Sequence, residues 1–391
     1  MRRRRLTRAL AILAVAAALT ACGGTGGGTG SHTPRPTPSR RPTPTPTPDP
    51  IAGMTLQQKL GQLVMVGFPG ATLTPALQQA FATYRFGAVV LTQGNGNGAD
   101  AAQVRQLIAS IQGAEGAGPA PIVTTNQEGG TVCFYDTGMT CPPGQREQGA
   151  GGDPATASQD SAAMAKDLRA LGFDSGLAPV ADVWDGQSPF MADRSFGTDP
   201  TTVSSLVTAA IEADHAGGII AVAKHFPGHG SAADSHVSLP TVSHDMATLQ
   251  RVDLPPFEAA IKAGVDMVMV GHLLVPAIDP DQPTSASPKA MSLLRDQLGF
   301  KGVILTDDLQ MDGIQVRYQG AQAGVAAFEA GADMLMFASS VPLAEQAISL
   351  LQQQVASGKI TQARVDESVR RVMALKRRFG LLPGAPSPTP G

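Results

Sequence analysis

The chain has little cysteine, no excess of basic charge, no dinucleotide fingerprint and no apolar run long enough to cross a bilayer. Lys and Arg number 29 against 32 Asp and Glu, a formal net charge of −3. With no basic block in the folded part, a nucleic-acid partner is excluded. The apolar stretch 9–19 is too short to span as a mature helix, and no second hydrophobic span follows it. A doubly wound sheet would want a phosphate-binding Gly-rich loop after its first strand, and Gly67-Phe68-Pro69-Gly70 is not one. No cofactor is expected. Besides Cys22 there are only Cys133 and Cys141, eight apart. In an exported protein these can close a local disulfide across Tyr135-Asp136-Thr137-Gly138. A free pair is the alternative. No metal site is expected there, because further ligands are not apparent nearby.

The N-terminus is read as an export and anchoring device. Arg2 to Arg5 precede the apolar run, and Leu19-Thr20-Ala21-Cys22 resembles a bacterial lipobox. Residues 1–22 are thus expected to be a lipoprotein signal peptide, with lipidation at Cys22. Residues 23–50, mostly Gly, Ser, Thr and Pro, cannot bury a core and are expected to form an extended tether. The folded part, 51–384, would then work on the outer face of the cell membrane, anchored rather than spanning, with 385–391 as a disordered tail.

That folded part alternates apolar stretches with helical patterns. Strand candidates are 63–68, 87–92, 121–126, 175–183, 218–224, 265–272, 302–307 and 332–337. Four helices have readable starts at Thr74-Pro75, Asp153-Pro154, Asp199-Pro200 and Ser287-Pro288, each a capping side chain followed by proline in the first turn. Eight β-then-α units predict a (β/α)₈ TIM barrel in a single domain. The amphipathic stretch 361–379 adds an extra C-terminal helix. A barrel gathers the polar residues at its strand ends onto one face. Those residues are Asn126-Gln127-Glu128, Asp182, Asp193-Arg194, Lys224-His225, His272, Asp307-Asp308 and Ser339-Ser340, a set suited to a hydroxyl-rich ligand.

The densest cluster is Lys224-His225-Phe226-Pro227-Gly228-His229-Gly230, followed by Asp234-Ser235-His236. With Asp193-Arg194-Ser195-Phe196-Gly197, Gln127-Glu128-Gly129-Gly130 and the segment 293–307 ending in Thr306-Asp307, it resembles the motifs of family 3 glycoside hydrolases of the bacterial β-N-acetylglucosaminidase type. The likeness runs from about residue 54 to 380. It implies a (β/α)₈ barrel, Asp307 as nucleophile, and His236 held by Asp234 as general acid/base on a mobile loop. It also implies that Lys224, His225 and Arg194 hold sugar hydroxyls. Retaining glycoside hydrolysis needs an ionised carboxylate and a proton donor, and Lys224 and Arg194 are expected to keep Asp307 ionised. A histidine titrates near neutrality and can donate and then accept the proton.

The chain departs from the family pattern on the third strand. Asn126 stands where the family has aspartate, and Thr131 and Phe134 stand where it carries arginines. Asn126 still donates and accepts hydrogen bonds in the sugar subsite, but the planar multi-donor contact of an arginine is gone. The expected activity is removal of terminal β-linked N-acetylhexosamine from peptidoglycan fragments. A phosphorylase using the same site and a non-catalytic sugar-binding lipoprotein are the alternatives. The sequence leaves the oligomeric state open.

Overall fold

The structure, a computed structural model, describes Gly27 and residues 49–383 except 115, 117, 136 and 137. The signal peptide with Cys22, nearly all of the 23–50 tether and the 385–391 tail lie outside the described residues. The chain divides into the units Met1–Thr47 and Pro48–Gly391; the second carries the fold.

Its strands are β1 Val64–Val66, β2 Ala88–Val90, β3 Ile122–Thr124, β4 Gln127–Gly129, β5 Val132–Cys133, β6 Val222–Phe226, β7 Met267–Val270, β8 Val303–Asp308 and β9 Met334–Phe337. Seven make one parallel sheet in the order β3-β2-β1-β9-β8-β7-β6, and β4 and β5 form a separate antiparallel hairpin. The residues of the seven are buried except for Asp308 at the end of β8. That suits a sheet with helices on one face and packed side chains on the other. The two edge strands are joined by residues 174–181. On one side Asp174 N–H donates to Val123 O (2.7 Å) and Thr125 N–H to Ser175 O (3.1 Å); on the other, Val222 N–H donates to Ala178 O and Ala181 N–H to Lys224 O (both 2.7 Å). The result is a curled, TIM-barrel-like α/β sheet.

The expected fourth strand, 175–183, is therefore corrected to an irregular extended segment. Pro179 has no N–H for a ladder, and Leu177 has a φ of 49°. A side chain takes over part of the pairing: Gln145 Oε1 accepts from Val180 N–H and Gln145 Nε2 donates to Val180 O, both at 2.9 Å. The fifth expected strand also shifts, from 218–224 to Val222–Phe226, so Lys224 lies inside the strand rather than at its end, and His225 within it rather than beyond it.

The four anticipated helix starts are capped as read. Leu77, Ala155, Thr202 and Ala290 donate their N–H to the side chains of Thr74, Asp153, Asp199 and Ser287. The last of these helices, Pro288–Ser292, passes into a wider π-turn at Leu293–Gln297. The terminal helix Gln362–Arg378 lies at the N-terminal ends of the strands. There Lys376 Nζ donates to Gln62 Oε1 (2.7 Å), Arg371 to Asp333 (3.0 Å) and Arg378 to Asp266 (2.5 Å). The opposite, C-terminal end of the sheet stays open.

Candidate active site

At that open end is a pocket of about 420 Å³ lined by, among others, Asn126, Glu128, Phe190, Arg194, Lys224, His225, His236, Asp307 and Asp308. A larger hollow of about 750 Å³ lies against the C-terminal helix, lined by Asp266, Phe300 and Arg378 among others. It holds none of the candidate catalytic or sugar-binding residues named from the sequence. The chemistry is therefore placed in the smaller pocket, where strand ends bring titratable groups together.

The floor is built on a buried carboxylate. Glu128, on β4, is 1% exposed. Its Oε2 accepts from Arg194 Nε and its Oε1 from Arg194 Nη2, both at 2.8 Å, and Lys224 Nζ sits 2.5 Å from Oε1. Burial would raise the Glu128 pKa, but the charges of Arg194 and Lys224 overcome this and hold it well below the usual carboxylate range. Lys224 Nζ also donates to Asn126 Oδ1 at 3.3 Å. Asn126 thus joins the polar floor from the end of β3.

His225 is oriented by Asp182, which is fully buried. The His225 N–H donates to both Asp182 oxygens at 3.1 Å, and Nδ1 lies 2.7 Å from Oδ2. With Nδ1 against Asp182, the ring turns its Nε2 toward Arg194 Nη2, 3.4 Å away.

Asp307, near the end of β8, is 9% exposed, and its Oδ1 accepts the Asp308 N–H at 2.8 Å. Burial pushes its pKa up, but His225, His272 and the Asp308 N–H outweigh burial and hold it at about 2. Arg194 and Lys224, expected to keep Asp307 ionised, do feel its charge, which favours the protonated form of each, but both are held first by Glu128. His272 is itself pinned, with Nδ1 2.7 Å from Ser285 Oγ and Nε2 2.9 Å from Asp308 O. Burial, with the Asp307 charge adding, pushes Asp308 up to about 6.

At the mouth stands His236, with its side chain 57% exposed. Its Nδ1 is 2.6 Å from Asp234 Oδ1, and its N–H donates to the same oxygen at 2.9 Å. Burial tends to raise the Asp234 pKa, but these two hydrogen bonds from His236 bring it below the ordinary value. Nε2 has no hydrogen-bond partner among the described residues. Phe190 packs edge-on to His236, centroids 5.7 Å apart, and lies 4.6 Å beneath the Arg194 guanidinium.

The hairpin β4–β5 forms the remaining edge. Gly129 (φ 95°) and Gly130 (φ 55°) make its turn. A Cβ on Gly130 would meet Asp193 Oδ2 at 2.2 Å, the same oxygen that accepts the Thr131 N–H at 2.7 Å. Cys133 and Cys141 are joined by a disulfide, Cα–Cα 6.0 Å. Gln127 Oε1 accepts the Phe134 N–H at 3.1 Å. Thr131, Val132 and Phe134 line the pocket, with Thr131 and Phe134 at the positions where the resemblance implied family arginines.

Of the expected site residues, Asn126, Arg194, Lys224, His225, His236 and Asp307 line this pocket, and Asp234 reaches it through His236. The sequence reading missed the weight carried by Glu128 and Asp182 and the presence of Phe190. Glu128 was visible only as a strand-end polar residue and as part of a motif, and its partner Arg194 is 66 residues away. No local pattern announces such a pair.

The model of the glycosyl hydrolase family 3 N-terminal domain matches residues 55–375. A β-hexosaminidase of Methylococcus capsulatus is 34% identical over 256 residues, 64% of this chain and 77% of that protein. β-Hexosaminidase A of Pseudoalteromonas piscicida is 30% identical over 371 residues, 83% of this chain and 62% of that protein. Among solved structures, a family 3 β-N-acetylglucosaminidase from Paenibacillus sp. superposes with a TM-score of 0.81 at 36% identity, covering 84% of this chain and 63% of that one. A β-N-acetylhexosaminidase from Beutenbergia cavernae gives 0.73 at 32%, covering 83% and 99%. The chain thus spans less than two thirds of the Pseudoalteromonas and Paenibacillus proteins and nearly all of the Beutenbergia one. On the extent of the family match and the agreement of fold, the chain belongs to glycosyl hydrolase family 3.

Proposed function

We infer that the protein is a retaining exo-β-N-acetylglucosaminidase, or hexosaminidase, that removes terminal β-linked N-acetylhexosamine from cell-wall peptidoglycan fragments. The observation that carries this is the pairing of an ionised, nearly buried Asp307 with an exposed, Asp234-oriented His236 around one pocket. Asp307 attacks the anomeric carbon as His236 protonates the leaving oxygen. The glycosyl ester is then hydrolysed by water that His236 deprotonates. Asp234 holds the ring and stabilises its protonated form. Arg194, Lys224, His225 and Asn126 hold the sugar hydroxyls.

Water is favoured over phosphate as acceptor because Arg194 and Lys224 are both committed to Glu128. A phosphate would have to compete with Glu128 for their hydrogen-bond donors. Cell-wall fragments are the substrate class that fits the expected lipidation at Cys22 and an outer-face location.

The test is release of p-nitrophenol from its β-N-acetylglucosaminide by the full chain, with the β-glucoside as control, each with and without phosphate. Phosphate-independent hydrolysis of the N-acetyl substrate is expected. Sugar phosphate as product would replace this reading with a phosphorylase. Lipidation is checked by labelling with a fatty-acid analogue, which Cys22→Ala should abolish.

A further inference from the structure

His229 takes no part in the steps above, yet its side chain is completely buried. Its backbone N–H donates to Asp182 Oδ1 at 2.6 Å. Among the described residues its ring has one hydrogen-bond partner: Nε2 lies 3.0 Å from Ser235 Oγ, while Nδ1 is buried without one. A buried polar atom left unpaired is costly, so the surroundings tolerate this ring for the sake of the bond it does make. Burial, with His225 adding, lowers its pKa to about 4. The ring is therefore neutral near neutral pH and makes the same contact with either tautomer.

Ser235 is the residue between Asp234 and His236. It is 1% exposed, although His236 and Val237 beside it face solvent. Its backbone oxygen accepts the Gly313 N–H at 3.0 Å, and His236 O accepts the Asp312 N–H at 3.3 Å. Gly313 must stay small there, since a Cβ would come 2.8 Å from Ser235 O. Phe190 closes the gap, its ring centroid 5.1 Å from that of His229 and 5.7 Å from that of His236. Ser235 is thus the side chain by which the acid/base loop is tied to the barrel interior, and His229 is what it is tied to.

We propose that His229 is a positioning residue, which through its hydrogen bond to Ser235 seats the 234–238 loop so that His236 faces the pocket holding Asp307. This rests on the reading of His236 as acid/base. Losing one hydrogen bond of ordinary strength shifts a docked loop's population by about fivefold to tenfold. The deficit falls on proton donation, so it appears where the leaving group needs a proton.

Ser235→Ala should lower kcat/KM by about tenfold on an alkyl β-N-acetylglucosaminide, and by less than about twofold on a dinitrophenyl one. His229→Ala should behave alike, and His229→Gln, whose amide can reach Ser235, should recover much of the loss. In a His236→Ala background, Ser235→Ala should be silent. Equal loss on both glycosides, or additive loss with His236→Ala, overturns the proposal. A second measurement needs no activity: amide exchange over 231–238 should quicken in Ser235→Ala with the barrel's exchange unchanged, and unaltered exchange overturns the assignment. A wild-type chain inactive on every β-glycoside would fail the functional reading, while the exchange result would still decide the tie.

Discussion

Replacing Glu128 by glutamine keeps the side chain's size and removes its charge. The carboxylate is 1% exposed and faces two cations, Arg194 at 2.8 Å and Lys224 at 2.5 Å. In the variant both cations remain buried, at 8% and 2% exposure, with no counter-charge between them. Breaking a buried ionic cluster by removing one partner costs about 3–5 kcal/mol, far more than the ~1 kcal/mol or less of an exposed pair. The pH dependence gives a second handle. Burial lowers the Lys224 pKa, and Glu128 is the leading influence opposing it. Unfolded lysine keeps its proton to about pH 10, whereas the folded group releases it earlier. Stability therefore rises with pH across the interval between the two pKa values. Without Glu128 that interval opens at lower pH, so the deficit of the variant should shrink as pH rises toward the ordinary lysine range. Urea unfolding of wild type and Glu128→Gln at several pH values measures both effects. A deficit below about 1 kcal/mol at pH 7, or one that does not change with pH, would refute the view of Glu128 as a buried charge clamp.

Asp307→Ala should abolish turnover, by roughly a thousandfold or more, with an unchanged circular dichroism spectrum; retained activity would redirect attention to Asp308. A 2-fluoro glycoside with a good leaving group should add one sugar mass to Asp307, read by peptide mass spectrometry. For Asp308, a folded pKa raised to about 6 means the folded state binds more protons than the unfolded between about pH 4 and 6, so wild type loses stability as pH rises through that window. Asp308→Asn should remove this loss, amounting to about 3 kcal/mol, visible as a flatter stability profile in denaturant titrations. Replacing both Cys133 and Cys141 by serine should cost ~2–3 kcal/mol, as expected for so short a loop, and raise KM by loosening the edge that carries Phe134.

Local chemistry made much of this chain readable. The caps at Thr74, Asp153, Asp199 and Ser287 declare themselves by adjacency to proline, and seven of the eight strand positions stand out as apolar stretches because both faces of a barrel strand are buried. Asp234 and His236 are two residues apart, so their contact needs only a turn. The segment at 174–181 deceived the reading because it is as apolar as a strand, while its pairing depends on Gln145, Ser175 and a proline that breaks the ladder. The Glu128 clamp, the Asp182 support beneath His225 and His229, and the shielding of Asp307 by His225 and His272 join residues tens of positions apart. Their energies arise from burial, which no sequence position carries by itself. What the sequence determined alone was the order of elements and which residues are candidates for the reacting groups. Which cation serves which carboxylate, and which histidine holds the loop, was decided only when the sheet curled and removed them together from water.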